Sequence, residues 1–163
     1  MAHLLTTYAA ATQSKIGSPY ILEKFFPLPF DRYIVFAPFS KPSKNYSLYQ
    51  DVLEILYPIL NEQKIQIIQI GAAGEQSFPG CYHTQGKTTL NQVYGILKNS
   101  LLYIGADTYA SHFASNIGIS SVVLISNNYS NNVRGYWNQD KQIILEPDRT
   151  KRKPSFQLDE GQN

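Results

Sequence analysis

The run LLYIGADTYASHFASNIG, residues 101–118, decides the fold prediction for this chain. It begins with four apolar residues of the kind found in a buried parallel strand. Two small residues suited to a sharp turn come next, followed by Asp107 and Thr108, good N-cap residues that predict the start of a helix. Gly118 suits the position just after the last turn of that helix. A second apolar run, residues 122–125, follows at once, so the segment predicts a strand–helix–strand unit.

In such a unit the helix begins at the C-terminal edge of a parallel sheet. Open α/β sheets bind their ligands at that edge. The amide groups at the start of a helix have no partner within the helix and favour an anion, most often a phosphate. The amides of Thr108, Tyr109 and Ala110 are therefore predicted to be available to a phosphate.

The rest of the chain repeats this alternation of strands and helices. Besides residues 101–104 and 122–125, strands are predicted at residues 33–37, 65–70 and 142–145. Helices are predicted over residues 47–61 and from a capping box that begins at Thr89. The pattern predicts an α/β fold, a Rossmann-like doubly wound parallel sheet with helices on both faces. We divide the chain into an N-terminal arm (1–30), this domain (31–147) and a flexible basic and polar tail (148–163).

Composition excludes several functional classes. The chain has 163 residues, 16% of them charged, and a formal net charge of +2, too small to indicate nucleic-acid binding. The single cysteine, Cys81, excludes an intrachain disulfide and a cysteine-based metal site and fits a cytosolic protein. Neither a membrane-spanning run nor a signal peptide is visible. The sequence gives no indication of a metal or a bound cofactor.

Four segments, in order and at matching spacing, resemble the family 9 glycosyltransferases, which include the ADP-heptose:lipopolysaccharide heptosyltransferases. The resemblance covers the C-terminal, nucleotide-sugar-binding domain of these GT-B enzymes and extends over about ninety residues, from 33 to 125. The matching residues are Ser40, Lys44 and Tyr46 after the first strand, GAAGE at 71–75, GKTTL at 86–90, and Asp107, Thr108, His112 and Ala114.

The resemblance implies one half of a GT-B fold that binds a nucleotide sugar such as ADP-heptose. In this reading Ser40 and Lys44 clamp the diphosphate leaving group, and Glu75 accepts hydrogen bonds from the ribose. Thr108 and His112 line the same site, and Asp107 belongs to it. The catalytic residues are unknown, since the base and the acceptor site belong to an N-terminal domain that this chain is too short to include. The isolated chain is accordingly predicted to be inactive.

The resemblance further implies a role in lipopolysaccharide biosynthesis, in the cytoplasm or peripheral to the inner membrane. We expect no nucleic-acid partner. An isolated half of a two-domain enzyme exposes an apolar inter-domain face, so self-association is also predicted.

One departure from the family pattern supports an alternative. Tyr109 stands where the family usually has glycine, and its side chain would obstruct or reshape the approach of a diphosphate to the helix. The alternative is a non-catalytic binding or assembly module that retains the fold. An unrelated Rossmann-like hydrolase or epimerase is a third reading, but its Gly-x-Ser-x-Gly elbow is absent.

Each candidate residue also has a simpler interpretation. Asp107 would only cap the helix, and His112 would be a satisfied core histidine. Lys44 and Glu75 would be an ordinary loop lysine and an ordinary loop acid.

Overall fold

The computed structural model describes residues 2–40 and 45–151, and within them one sheet of six parallel strands is flanked by helices. Lys44 lies outside the described residues. The elements in chain order are α1 Leu4–Thr12, β1 Tyr33–Ala37, α2 Tyr49–Glu62, β2 Gln66–Gln69, β3 Tyr82–His83, α3 Leu90–Lys98, β4 Tyr103–Ala106, α4 Tyr109–Ile117, β5 Ser121–Leu124, α5 Ser130–Val133 and β6 Gln142–Leu145.

The strand order is β3-β2-β1-β4-β5-β6, the order of the doubly wound Rossmann fold. The chain leaves β1 toward β2 on one side and continues from β4 toward β5 on the other. The order therefore reverses between β1 and β4, whose register pairs Val35 with Tyr103 and Ala37 with Gly105. This reversal lies at the C-terminal edge of the sheet, where doubly wound folds have their ligand crevice. The predicted Rossmann-like fold is confirmed.

Local sequence signals set the ends of two helices as predicted. Thr89 caps α3 with a complete capping box, in which its side chain accepts from the Gln92 amide and its own amide donates to Gln92 Oε1. Gly118 closes α4 in the left-handed conformation, with φ of 82°. Helix α2 continues through Pro58, four residues before its end.

Two apolar layers hold the sheet between its helices. On one face Tyr33, Val35 and Ala37 of β1 pack against α3 and α4. On the other face the alternating residues Ile34 and Phe36 pack against α2. Every residue of β1 is buried. This explains why its sequence is apolar throughout, which is typical of a parallel strand covered on both faces.

Strand β4 begins two residues later than predicted and includes Gly105, which we had assigned to a turn. A Cβ atom at this glycine would lie 2.3 Å from the carbonyl oxygen of Ala37. The small residue thus permits close approach of two strands, which the sequence does not distinguish from a turn. The two-residue strand β3 and the four-residue helix α5 were not predicted, because neither is long enough to show a hydrophobic period.

One half of the sheet has an uncovered apolar face. On the side of α2, the half-buried Val122 and Leu124 adjoin Ile143 and Leu145, which are 62% and 50% exposed. These strands form one side of a groove of about 570 Å³ beside α2. No helix in the described part of the chain covers it, although parallel sheets are normally covered on both faces.

The N-terminal arm lies along the opposite helical layer. Its extended part is joined to α3 by a hydrogen bond of 3.0 Å from the Lys24 amide to the Asn91 carbonyl and by an ion pair of 2.8 Å between Glu23 and Lys98. Among the described residues, no helix has the length and apolar character needed to cross a membrane.

Candidate functional site

The loops after β1 and β4 meet at the point where the strand order reverses. The hydroxyl of Ser40 donates to the main-chain oxygen of Asp107 at 3.3 Å, although the two residues are far apart in sequence. The Ser40 amide donates to Asn45 Oδ1 at 3.1 Å, so Asn45 helps to fix this loop. Two of the residues selected from the sequence are thus brought together in the crevice.

Helix α4 is capped by Thr108, and Asp107 is not the cap. The Thr108 hydroxyl accepts from the Ala110 amide at 3.2 Å, and the Thr108 amide donates to Ser111 Oγ at 3.3 Å. Two of the three amides that we expected to be available to a phosphate are therefore already engaged. The reason is that Ser111, at the third helical position, completes a capping box whose sequence signal we missed.

Asp107 and His112 form a polar pair at the start of α4. The Asp107 side chain is 9% exposed, and its Oδ1 lies 3.8 Å from Nε2 of His112, which is 46% exposed. The interpretation of His112 as a core histidine is therefore wrong, because the imidazole faces solvent. If the ring is protonated, the pair is an ion pair that presents a donor next to the start of α4.

Glu75 follows β2, and its carboxylate folds back over Gly71. A Cβ atom at Gly71 would lie 1.9 Å from Glu75 Oε2. That oxygen is buried and has no hydrogen-bond donor among the described residues. A buried carboxylate oxygen without a donor is costly, so a hydroxyl group supplied by a ligand would stabilise it.

Tyr109 is the first residue of α4. Its ring packs edge-to-face on Phe113, with ring centroids 5.6 Å apart. Burial raises the pKa of the Tyr109 phenol, and the negative charge of Glu75 raises it further. The unusual tyrosine therefore lies at the helix start with its polar end in the field of the Glu75 carboxylate.

If the chain binds a nucleotide, replacing Gly71 by alanine is expected to weaken that binding. The new Cβ would displace the Glu75 carboxylate, and because Gly71 has a φ of 159°, which strains a residue with a side chain, the melting temperature should fall as well. If Glu75 contacts the ribose, losing that charged hydrogen bond should reduce affinity about tenfold or more, as should Glu75→Gln. Calorimetric titration with ADP measures this.

Gly17→Ala is the matched control, since a Cβ at Gly17 has no neighbour within 4 Å. Unchanged ADP affinity in the Gly71→Ala protein would contradict a ribose contact by Glu75.

Solved structures of glycosyltransferases share this fold. The chain is similar to a family 9 glycosyl transferase from Veillonella parvula, with a TM-score of 0.60, 16% identity, and coverage of 74% of this chain and 36% of that one. It is similar to the E. coli ADP-heptose LPS heptosyltransferase II, with a TM-score of 0.58, 16% identity, and coverage of 85% of this chain and 42% of that one. The E. coli heptosyltransferase WaaC, solved with ADP, gives a TM-score of 0.60, 17% identity, and coverage of 74% of this chain and 40% of that one.

The fold and the crevice define an α/β domain of the Rossmann-like type found in GT-B glycosyltransferases. More specifically, the chain has a family 9-like fold, as the sequence resemblance implied. It spans between 36% and 42% of the length of these three proteins. No protein-family model matches the chain, and no curated protein sequence matches it.

Proposed function

We propose that this chain is the sugar-nucleotide-binding domain of a heptosyltransferase-like glycosyltransferase. The observation that carries the proposal is the contact between Ser40 and Asp107, which joins the loops after β1 and β4 at the crevice of a family 9-like fold. This crevice is the usual ligand site of doubly wound sheets. Two similar proteins are named for ADP-heptose or were solved with ADP, which supports a nucleotide diphosphate as the ligand here.

The chemistry of the proposed site is stabilisation of a leaving group. Glycosyl transfer from a nucleotide sugar breaks the bond between the sugar and the diphosphate, and negative charge grows on the diphosphate oxygens. Donors already aimed at that position stabilise the transition state most effectively. We assign this task to the Lys44 ammonium group, with His112 as a further donor, and to the Ser40 hydroxyl, which would exchange its present hydrogen bond to the Asp107 oxygen for one to the diphosphate.

The start of α4 contributes less than an open helix terminus would. The amides of Thr108 and Ala110 donate within the capping box, so Thr108 serves mainly to hold the turn after β4 in place. Asp107 fixes the same turn through its main chain, because its amide donates to the Leu124 oxygen at 3.1 Å and its oxygen accepts from Ser40. Glu75, on the loop after β2, is assigned to the ribose hydroxyls.

The donor we propose is ADP-heptose or a related nucleotide sugar, for a reaction in lipopolysaccharide biosynthesis. The acceptor and the catalytic base belong, in this proposal, to a second domain. The site would then operate in the cytoplasm, free or at the inner membrane surface.

A thermal-shift panel tests the proposal. Because a ligand that binds only the native state stabilises it, ADP and ADP-heptose are expected to raise the melting temperature, and above Kd the shift should grow with the logarithm of the ligand concentration. AMP, which lacks the second phosphate, is the matched control and should have a smaller effect. A panel of nucleoside diphosphates and nucleotide sugars that leaves the melting temperature unchanged would refute the proposal.

A non-catalytic binding or assembly module is the second candidate function. Tyr109 and the engaged amides of the α4 start favour it, since both reduce the space and the donors open to a diphosphate. If this candidate is correct, no nucleotide stabilises the chain, and Tyr109→Gly does not create binding. If Tyr109 only obstructs a retained site, Tyr109→Gly increases ADP affinity.

Self-association is expected to occur through the apolar groove. Leu145 of β6 lines this groove together with Val52 and Leu56 of α2, so a second copy seated there would bury apolar area from both elements. Leu145→Lys should shift the chain toward the monomer in sedimentation velocity experiments. Leu90→Lys, at a similarly exposed leucine on the other helical layer, should not. A wild-type chain that remains monomeric at every concentration would contradict this prediction.

A further inference from the structure

Arg149 connects the end of β6 to the loop after β5. Its side chain is only 15% exposed. Nη1 donates to the main-chain oxygen of Ser126 at 2.9 Å, and Nη2 donates to that of Ile125 at 3.3 Å and to that of Asn128. One guanidinium group thus binds three carbonyl oxygens of the segment that leaves β5, which a lysine ammonium group cannot do with the same geometry.

Glu146 extends this connection to the first residue of α5. Its Oε2 accepts from Nε and Nη2 of Arg149 at 3.3 and 3.2 Å. The Ser130 hydroxyl donates to Oε1 at 2.9 Å, and the Ser130 amide donates to Oε2 at 3.3 Å. Partial burial opposes ionisation of Glu146, but the hydrogen bonds from Ser130 and Arg149 outweigh it and lower the pKa of this carboxyl group. The network is therefore closed and charged at neutral pH.

The segment held in this way, residues 126–130, adjoins the candidate site. Strand β5 pairs with β4, and the Asp107 amide donates to Leu124, the last residue of β5. The loops after the two strands consequently leave the sheet side by side. Residues Asn127, Asn128 and Tyr129 give this segment amide and phenol side chains, and the Arg149 guanidinium lies 5.7 Å from the centre of the Tyr129 ring.

Amide and phenol groups suit the recognition of sugar hydroxyls, because each can donate and accept hydrogen bonds. We propose that Arg149 is a positioning residue that, with Glu146, holds residues 126–130 against the turn after β4 so that this segment contacts the sugar part of the donor. The inference rests on the proposed function. It assigns recognition of the sugar to a different loop from the one that binds the diphosphate.

Two measurements on Arg149→Met test the inference. Hydrogen exchange should become at least tenfold faster at the amides of Ser130, Asn132 and Arg134, which are hydrogen-bonded in and around α5. In calorimetric titrations, affinity for ADP-heptose should fall about tenfold while affinity for ADP stays the same. Arg149→Lys should restore only part of the ADP-heptose affinity. Arg32→Met is the matched control, because Arg32 also binds a carbonyl oxygen, that of Gln63, but precedes β1 at the opposite end of the sheet.

The outcomes separate the inference from the proposed function. An equal loss of affinity for ADP and ADP-heptose would show a general structural effect and overturn the inference alone. Unchanged exchange rates or an unchanged ADP-heptose affinity would overturn it as well. A wild-type chain that binds neither ligand would refute the proposed function, and the assigned role in sugar recognition with it.

Discussion

Replacing Lys44 by alanine is expected to weaken the binding of a nucleoside diphosphate far more than replacing Asp107 by asparagine. The sequence places this lysine four residues after Ser40, in the segment that follows β1. An ammonium group that meets the diphosphate contributes a charge-assisted contact, and its loss costs about 1.5–3 kcal/mol, or roughly ten- to a hundredfold in affinity. Titration calorimetry with ADP measures the change.

Asp107→Asn is the comparison variant and should have a mild effect. A carboxylate aimed at a phosphate would repel it, and asparagine has nearly the same shape as aspartate. The contacts of Asp107 with Ser40 and Leu124 use main-chain atoms, so the substitution leaves them intact. Equal ADP affinity for the wild-type and Lys44→Ala proteins would contradict the assignment of Lys44 to the diphosphate. Most of the case for a nucleotide-sugar site would be lost with it.

The purified chain is expected to transfer no glycosyl group, even when it binds the donor. A single domain can stabilise the leaving group, but holding the acceptor in line and removing its proton need groups that we assign to a second domain. Positioning and general base catalysis together account for many orders of magnitude in rate. The expected turnover is therefore below detection.

Mass spectrometry of a lipopolysaccharide acceptor incubated with ADP-heptose measures this activity. The E. coli heptosyltransferase WaaC serves as the positive control in the same assay. Formation of a glycosylated product by the 163-residue chain would show that the second domain is not needed.

Much of the fold could be predicted from local sequence signals, because these signals report short-range physics. The continuous apolar run of β1, the capping box at Thr89 and the glycine at 118 each act within one element, and each has the predicted outcome. The predicted position of β4 was two residues too early, because a glycine such as Gly105 fits both a turn and a close contact between strands. Only the position of the neighbouring strand distinguishes these two cases.

The candidate site was predictable in outline, because residues that follow parallel strands lie at the same edge of a sheet. The family resemblance selected Ser40 and Glu75, the helix-start pattern selected Asp107, and this rule predicts that all three lie at one edge. The tertiary structure decided their surroundings: which residue caps α4, which oxygen of Glu75 has no donor, and which carbonyl groups Arg149 binds. Those contacts join residues that are distant in sequence, and a contact of that kind depends on the packed positions of both partners and leaves no local pattern in the chain.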